Sequence, residues 1–184
     1  MRTPNYGKVR VHQLNSIEDR LRLIGEQVDK SQRDPWVRAL ALEVAQGAKK
    51  HGDIGEDEEL VRVFNFVKQN IDYRQDPRDY DMYATAKRTM QLRGGDCDDH
   101  TILVAGLLNN LGFLTGAKVI SPDNVNWHIY PVAGVRSRAN PSAIVPLDTT
   151  QPESYPGWEP SAYQRNHEIL ATFSGGRVHT RTLR

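Results

Sequence analysis

Cysteine is almost absent from this sequence of 184 residues, which contains one such residue, Cys97. A single cysteine excludes an internal disulfide and any zinc site that needs several thiolates. A lone cysteine is most often a small buried apolar side chain. The residues around Cys97 must therefore decide whether its thiol has a chemical role.

Long apolar runs and an excess of one charge are also missing. No stretch reaches the ~20 apolar residues that a membrane-spanning helix needs, and the N-terminal MRTPNYGKVRVHQLNS lacks the apolar core of a secretory signal. We therefore expect a cytoplasmic protein without a membrane span. Lys and Arg (24) nearly balance Asp and Glu (23), so the composition gives no indication of a nucleic-acid partner.

The first part of the chain has the pattern of helices. Apolar residues recur at helical spacing after a candidate N-cap at Ser16, after the Asp34-Pro35 pair, and from about Glu58 to Asn70. The polar stretch HGDIGEDEE precedes the last of these segments. The sequence predicts three helices, over about 16–28, 35–50 and 58–70.

The pattern changes after Cys97. The segment from Cys97 to Leu111 is apolar on most sides and is followed by Gly112, a common helix terminator, so we predict a buried helix. The short segments AKVIS, WHIYPVAGV and AIVPLDTT are rich in β-branched residues and predict consecutive antiparallel strands. Helices followed by strands indicate an α+β domain, with the Cys97 helix packed against a small antiparallel sheet.

The chain divides into three predicted parts. Residues 1–15 form an irregular N-terminal arm, and residues 16–150 form one domain that includes the N-terminal helices. Residues 151–184 are rich in Pro, Gly and aromatic side chains. We predict that this C-terminal tail wraps around the domain without building a core.

Two opposite effects act on the thiol of Cys97. With Asp96 as N-cap, Cys97 is the first helical residue, beside free backbone amides and the positive end of the helix dipole. That position lowers the pKa of a thiol and is typical of reactive cysteines. Asp96, Asp98 and Asp99 bring negative charge, which raises the pKa. Either the carboxylates point away while a histidine balances the thiolate, or a cation such as Ca²⁺ lies among them.

A nucleophilic cysteine also needs a base, and the base needs a group that orients it. His128 lies in NWHIYPV on a predicted strand, and Asp148 lies in VPLDTT at the end of the next one. Adjacent antiparallel strands could bring both side chains to the start of the Cys97 helix. His128 would then accept the thiol proton, and Asp148 would fix the tautomer of His128.

These segments resemble the transglutaminase-like cysteine protease superfamily, in particular its small stand-alone members from bacteria and bacteriophages. The matching residues are VFNFVKQNIDYRQDP, GGDCDDHTILVAGLLNNLGF, WHIY and IVPLDTT, within about residues 39–150. The resemblance implies a papain-like α+β core. It also implies a triad in which Cys97 is the nucleophile, His128 the base and Asp148 the orienting residue.

The resemblance implies an activity as well, because members of the family cleave or remodel amide bonds through a thioester intermediate. We expect a thiol-dependent hydrolase, a peptidase or amidase, that acts on a peptide or protein substrate and requires no cofactor. Crosslinking by transglutamination comes second, since the sequence has no signature of an amine acceptor site. A different alternative is a structural component of a bacteriophage particle or its assembly, which would bind phage structural proteins and use the fold as a scaffold.

Further residues would complete this site. The backbone amide of Cys97 is one natural oxyanion donor, and Tyr73, Gln91 and Trp127 are candidates for a second. Gln91 precedes Cys97 at an offset similar to that of the oxyanion glutamine in papain-like peptidases, Tyr73 lies in the loop before the nucleophile, and Trp127 adjoins the base. His100, three residues after Cys97, is interpreted as a structural or supporting residue.

The acidic residues beside Cys97 allow a metal in the same site. Some bacterial periplasmic relatives bind calcium through acidic residues that flank the nucleophile, and Asp96 and Asp98 match those positions. The resemblance therefore adds Ca²⁺ as an alternative to a site that works without a cofactor.

Overall fold

A computed structural model describes residues 16–48, 52–76, 82–138 and 140–183, so the predicted N-terminal arm lies outside the described residues. Within these ranges, no helix is both long and apolar enough to cross a membrane. The helices are α1 (Ile17–Arg33), α2 (Pro35–Val44), α3 (Gly52–Asn70), α4 (Ala86–Leu92) and α5 (Cys97–Asn110).

The strands form two separate sheets. A short parallel pair joins β1 (Asp72–Tyr73) to β2 (Gly94–Gly95). The main sheet is antiparallel and has the order β5-β4-β3-β6-β7. Its strands are β3 (Thr115–Ser121), β4 (His128–Val135), β5 (Ala143–Pro146), β6 (His167–Ser174) and β7 (Arg177–Thr182).

Local signals set the starts of the first two helices, as the sequence predicts. The hydroxyl of Ser16 accepts a hydrogen bond from the backbone N–H of Asp19 at 3.2 Å. The carboxylate of Asp34 accepts one from the backbone N–H of Trp36 at 2.8 Å, and Pro35 occupies the first helical position. Each cap satisfies an amide that lacks a partner within its own helix.

Three helix boundaries differ from the prediction. α1 ends at Arg33 rather than near Val28. α2 ends at Val44 rather than near Lys50, because the chain turns through Gly47, whose φ of 78° is left-handed. α3 begins at Gly52, earlier than the predicted Glu58. The stretch interpreted as a polar break is acidic, which suits the positive end of a helix dipole.

α5 is the centre of the fold. Its residues from Asp99 to Leu108 are buried, and it contacts α1, α2, α3, α4 and β4. The sheet covers it with apolar side chains, which include Ala117, Val119, Ile129, Ala133, Ala171 and Phe173. This arrangement confirms the predicted α+β fold, in which the helix that begins at Cys97 is buried against a small antiparallel sheet.

The C-terminal segment corrects one prediction. The expectation that residues 151–184 build no core is wrong, because β6 pairs with the central strand β3, and Ala171 and Phe173 join the apolar core. The charged residue Glu168 concealed this strand in the sequence. It is buried, and its carboxylate lies 2.7 Å from Nζ of Lys118 on β3, so its charge does not mean exposure to solvent.

Candidate active site

Cys97 begins α5 as the capping pattern predicts. One carboxylate oxygen of Asp96 accepts hydrogen bonds from the backbone N–H groups of Asp98 at 3.0 Å and Asp99 at 3.3 Å. The hydroxyl of Thr101 donates to the carbonyl of Cys97 at 2.8 Å. The Cys97 side chain is half-buried, so it is held at the first turn of the helix and remains partly accessible.

Gly94 and Gly95 allow the chain before Cys97 to pack closely against Arg74, just after β1, and against Asp99 on α5. A Cβ atom on Gly95 would lie 2.5 Å from Cβ of Asp99, and one on Gly94 would lie 2.6 Å from Cδ of Arg74. Such contacts are too short, so a larger residue would displace the side chains of Arg74 and Asp99. Tyr73 pairs with Gly95 in the parallel register, which brings Tyr73 beside the start of α5.

His128 and Asp148 are brought together, although they are 20 residues apart. Nε2 of His128 lies 2.8 Å from Oδ2 of Asp148. Oδ1 of Asp148 accepts hydrogen bonds from the backbone N–H of Thr150 at 3.0 Å and from its hydroxyl at 2.6 Å. Asp148 is fully buried, and these bonds fix both of its oxygen atoms.

The charge state of Asp148 sets the tautomer of His128. Burial alone would raise the pKa of the Asp148 carboxyl, but hydrogen bonds from His128 and Thr150 and the charge of His128 hold it below its usual value. An ionised carboxylate only accepts hydrogen bonds, so Nε2 of His128 carries the proton. Nδ1 of a neutral His128 is then the atom with a free lone pair, which makes it the candidate base.

The thiol of Cys97 faces both β4 and the neighbouring carboxylates. α5 and β4 are in contact, and the backbone N–H of Ile129 favours the thiolate. The sulfur also lies 3.9 Å from Oδ1 of Asp98. Burial raises the pKa of the Cys97 thiol well above its ordinary value, and the charges of Asp98 and Asp96 raise it further. Burial and the carboxylates therefore oppose ionisation of the thiol more strongly than the start of the helix favours it.

Tyr73 lies in the same electrostatic environment. Burial and then the negative charges of a Cys97 thiolate and the nearby carboxylates raise the pKa of its phenol to about 12. The phenol therefore stays protonated near neutral pH and keeps an O–H that can donate a hydrogen bond. Its side chain is half exposed, as a group that meets a substrate must be.

The other two oxyanion candidates have less structural connection to the nucleophile. Gln91 is exposed near the end of α4, and Trp127 packs against the apolar core just before β4. Among the hydrogen bonds of the described residues, none joins Gln91 or Trp127 to Cys97 or His128. Their roles stay predictions.

Asp96 and Asp98 do not form a ready metal cage. One oxygen of Asp96 already accepts two amide hydrogen bonds at the helix start. In the part of the chain that the structure describes, no group of three or more His, Cys, Asp or Glu side chains is arranged to hold a metal ion. Ca²⁺ prefers six to eight oxygen ligands, so a calcium site at Asp96 and Asp98 stays a prediction, and we assign no chemical step to a metal.

Thr150 is a functional residue that the sequence interpretation did not include. Its backbone and side chain both hold Asp148, in the geometry of an Asx turn. Asp followed two residues later by Thr is a known signal for such a turn. The segment VPLDTT carries that signal, so this residue could have been found from the sequence.

Comparisons with known proteins agree with this description. The model of the transglutaminase-like superfamily matches residues 38–121. That segment includes Cys97, whereas His128 and Asp148 lie beyond it. No curated protein sequence matches this chain significantly.

Two solved structures share the fold. LapG from Legionella pneumophila is 18% identical with a TM-score of 0.53, and the match covers 84% of this chain and 86% of LapG. A protein from Parabacteroides distasonis, provisionally described as a protease, is 12% identical with a TM-score of 0.55. That match covers 88% of this chain but 30% of the other, so this chain spans less than a third of its length. At these identities the two neighbours show a shared fold, and the family match supports a thiol hydrolase in general.

Proposed function

Residues 38–121 belong to the transglutaminase-like superfamily, and on that premise we propose that this chain is a peptidase or amidase that uses a Cys97-His128-Asp148 triad. Its substrate would be a peptide or protein with an accessible amide bond. The observation that carries the proposal is the contact of 2.8 Å between Nε2 of His128 and Oδ2 of Asp148. His128 is the first residue of β4, and β4 contacts α5, the helix that begins at Cys97.

The high pKa of the thiol decides how the nucleophile would be activated. A neutral Cys97 transfers its proton to Nδ1 of His128 as the sulfur attacks the carbonyl carbon of the amide. The C–N bond then breaks, the amine leaves with the proton from His128, and a thioester remains on Cys97. His128 next takes a proton from water, the hydroxide attacks the thioester, and the carboxylic acid product leaves as the thiol is restored.

Asp148 supports both proton transfers without taking a proton. Its ionised carboxylate accepts the N–H of Nε2 and stabilises the imidazolium that forms when Nδ1 is protonated. The two hydrogen bonds from Thr150 keep the carboxylate ionised and correctly oriented. This role requires a buried carboxylate, and Asp148 is fully buried.

The oxyanion of the tetrahedral intermediate needs hydrogen-bond donors near the sulfur. We propose the backbone N–H of Cys97 and the phenol of Tyr73, because the phenol stays protonated and responds to the charge of Cys97. Gln91 and Trp127 are the remaining candidates. Tyr73→Phe would lower kcat and leave KM nearly unchanged if the donor acts mainly in the transition state.

The phage scaffold is the second proposal and rests on the resemblance alone. A scaffold needs the fold but neither a base beside Cys97 nor a buried carboxylate behind that base. Stoichiometric copies in a purified particle, together with an unreactive thiol, would favour it. Crosslinking would instead require that an amine replace water in the second step, which a labelled-amine incorporation assay detects.

The test compares wild type with Cys97→Ala and His128→Ala. We measure the hydrolysis of fluorescein-labelled casein and the rate of iodoacetamide labelling from pH 5 to pH 10. We expect both variants to lose about a thousandfold or more of the hydrolysis rate. The wild-type labelling midpoint should lie above the ~8.5 of a free thiol, and labelling of His128→Ala at pH 7 should be at least about tenfold slower.

The exposed His179 on β7 provides a matched control. His179→Ala should label and hydrolyse like wild type. Hydrolysis that survives in Cys97→Ala, or identical labelling profiles of wild type and His128→Ala, would contradict the proposed enzyme.

A further inference from the structure

His100 is a buried histidine outside the triad. It follows Cys97 by one helical turn on α5 and is 1% exposed. Its Nδ1 lies 2.8 Å from the hydroxyl of Thr149. A fully buried imidazole is costly unless its nitrogen atoms form hydrogen bonds, so this contact calls for an explanation beyond filling space.

The partner of His100 is the residue next to the orienting carboxylate. Thr149 is buried and directly follows Asp148. The loop after β5 is therefore held twice. Thr150 fixes the Asp148 carboxylate from within the loop, and His100, on the nucleophile helix, bonds to the side-chain hydroxyl of Thr149 in that loop.

The second ring nitrogen of His100 faces β1. Nε2 is buried and has no hydrogen-bond partner among the described groups, although the nearby carbonyl of Asp72 favours a proton there. Asp72 precedes Tyr73, and the rings of Tyr73 and His100 have centroids 6.5 Å apart. With the proton on Nε2, Nδ1 accepts the hydroxyl hydrogen of Thr149. From the helix that carries Cys97, the His100 side chain thus contacts the loop that carries Asp148 and lies near the strand that carries Tyr73.

We propose that His100 is a positioning residue that joins the nucleophile helix to the Asp148 loop and so sets the distance between Cys97 and the His128-Asp148 pair. This inference rests on the proposed triad. His100 does not touch the reacting atoms, and it is neutral at working pH, because burial lowers its pKa to about 4. It therefore does not compete with His128 as the cationic partner of Asp148.

The geometry explains why a tether would matter here. Cys97 and Asp148 lie on different elements, and proton transfer from the thiol depends on their separation through His128. A displacement of about 1 Å in such a site can lower the rate a hundredfold. The hydrogen bond between His100 and Thr149 is the described side-chain link between α5 and the Asp148 loop.

The test uses Thr149→Val, which keeps the shape of the side chain and removes the hydroxyl, beside His100→Leu and His100→Asn. We measure the pH profile of iodoacetamide labelling at Cys97 in the full chain, with thermal unfolding of each variant. Thr149→Val and His100→Leu should label about tenfold more slowly at pH 7, with the midpoint moved to higher pH. His100→Asn should recover to within about threefold of wild type, because its side-chain amide oxygen can still accept the hydroxyl hydrogen of Thr149.

A double variant separates positioning from general loss of stability. Both single changes break the same hydrogen bond, so His100→Leu with Thr149→Val should be no slower than the slower single variant. Additive losses, or an unchanged labelling midpoint in Thr149→Val, would overturn the proposal. If His100→Leu does not fold, Thr149→Val decides alone. The proposed triad fails separately, when His128→Ala labels like wild type.

Discussion

The two faces of the main sheet are both buried, but by different means. The face towards α5 is covered by apolar packing, with Val119 and Ile129 at its centre. The opposite face buries charge beside a small apolar cluster of Ile120, Tyr130 and Val132. Nζ of Lys118 lies 2.7 Å from a carboxylate oxygen of Glu168 and also pairs with Glu159. Apolar packing on the first face involves no ion pair, whereas each buried charge on the second face needs an opposite charge nearby.

The charged face also holds the wrapping segment of the chain. Glu159 accepts a hydrogen bond from the hydroxyl of Tyr130 at 3.1 Å. Arg165 lies 3.4 Å from Glu159 and from Glu168, and donates to the carbonyl of Pro160 at 3.0 Å. Residues 151–166 are therefore fastened to the sheet by ion pairs rather than by a core.

The candidate site lies at the start of β4, where His128 and Ile129 are neighbours. Ile129 packs towards α5 and its N–H favours the Cys97 thiolate, and the neighbouring His128, at the start of β4, pairs with the buried Asp148. The rings of His128 and Tyr130 are 5.7 Å apart. We therefore expect substitutions on the face towards α5 to lower stability through lost packing. Substitutions of Lys118 or Glu168 on the opposite face should lower it by leaving a buried charge without its partner.

The largest effect should follow from breaking the charged face. Lys118→Met keeps the length of the side chain but removes the nearer cation of the buried Glu168 and leaves Arg165 at 3.4 Å, so we expect the free energy of unfolding to fall by about 3–5 kcal/mol. Denaturant unfolding at pH 7 measures it. Lys118→Met combined with Glu168→Leu removes both charges and should recover most of the loss. A loss below about 1 kcal/mol in the single variant would mean that the network contributes little.

Breaking the apolar face should have a somewhat smaller effect. Leu107 on α5 is fully buried, and Leu107→Ala should lower the free energy of unfolding by about 3 kcal/mol through lost contacts and a cavity. Leu42→Ala, at a leucine that is 53% exposed on α2, is the control and should change it by less than about 0.5 kcal/mol. Equal losses at both positions would contradict the assigned core.

Asp99 is a buried carboxyl group in the first turn of α5, and its protonation makes the stability of the protein depend on pH. Burial and the charges of Asp96 and Asp76 raise its pKa to about 7, against the hydrogen bond from the N–H of Ala84. The folded state then binds more protons than the unfolded state between about pH 4 and pH 7. The contribution of protonated Asp99 to the free energy of unfolding is therefore fully present below about pH 4 and is lost as the pH rises from about 4 to 7.

Asp99→Asn should remove that pH dependence. The amide oxygen can still accept the Ala84 hydrogen bond, so we expect about 2 kcal/mol more stability than wild type at pH 8 and little change at pH 4. Urea unfolding at pH 4, 6 and 8 measures the difference. Asp148→Asn is the opposite control: the pKa of Asp148 is lowered, so its contribution is present above about pH 4 and is lost in acid. Parallel curves for wild type and Asp99→Asn would contradict the assignment.

Features set by neighbouring residues could be predicted from the sequence. The caps at Ser16, Asp34 and Asp96 each use atoms two or three residues away, so their pattern is local. The contact between His128 and Asp148 also follows from the sequence, because both lie at the ends of consecutive antiparallel strands.

Features set by distant residues could not be predicted. Glu168 is an ordinary charged residue until β6 pairs with β3 and places it beside Lys118. The pKa of Cys97 depends on how deeply the start of α5 is buried, which no local pattern states. The partner of His100 lies 49 residues away. In each case the missing information was a tertiary contact rather than a residue type.

The smallest effect concerns calcium, the one alternative in which a cation would bridge the carboxylates beside Cys97. Asp96 already uses one oxygen to cap α5, so we expect EDTA or 1 mM Ca²⁺ to change the labelling rate of Cys97 by less than about twofold. Asp98→Asn lacks a charge that raises the pKa of the thiol and should move the labelling midpoint to lower pH with or without calcium. If calcium instead shifts the wild-type midpoint downward and Asp98→Asn abolishes that response, a cation binds there, and the opposite effects on the thiol are balanced by metal.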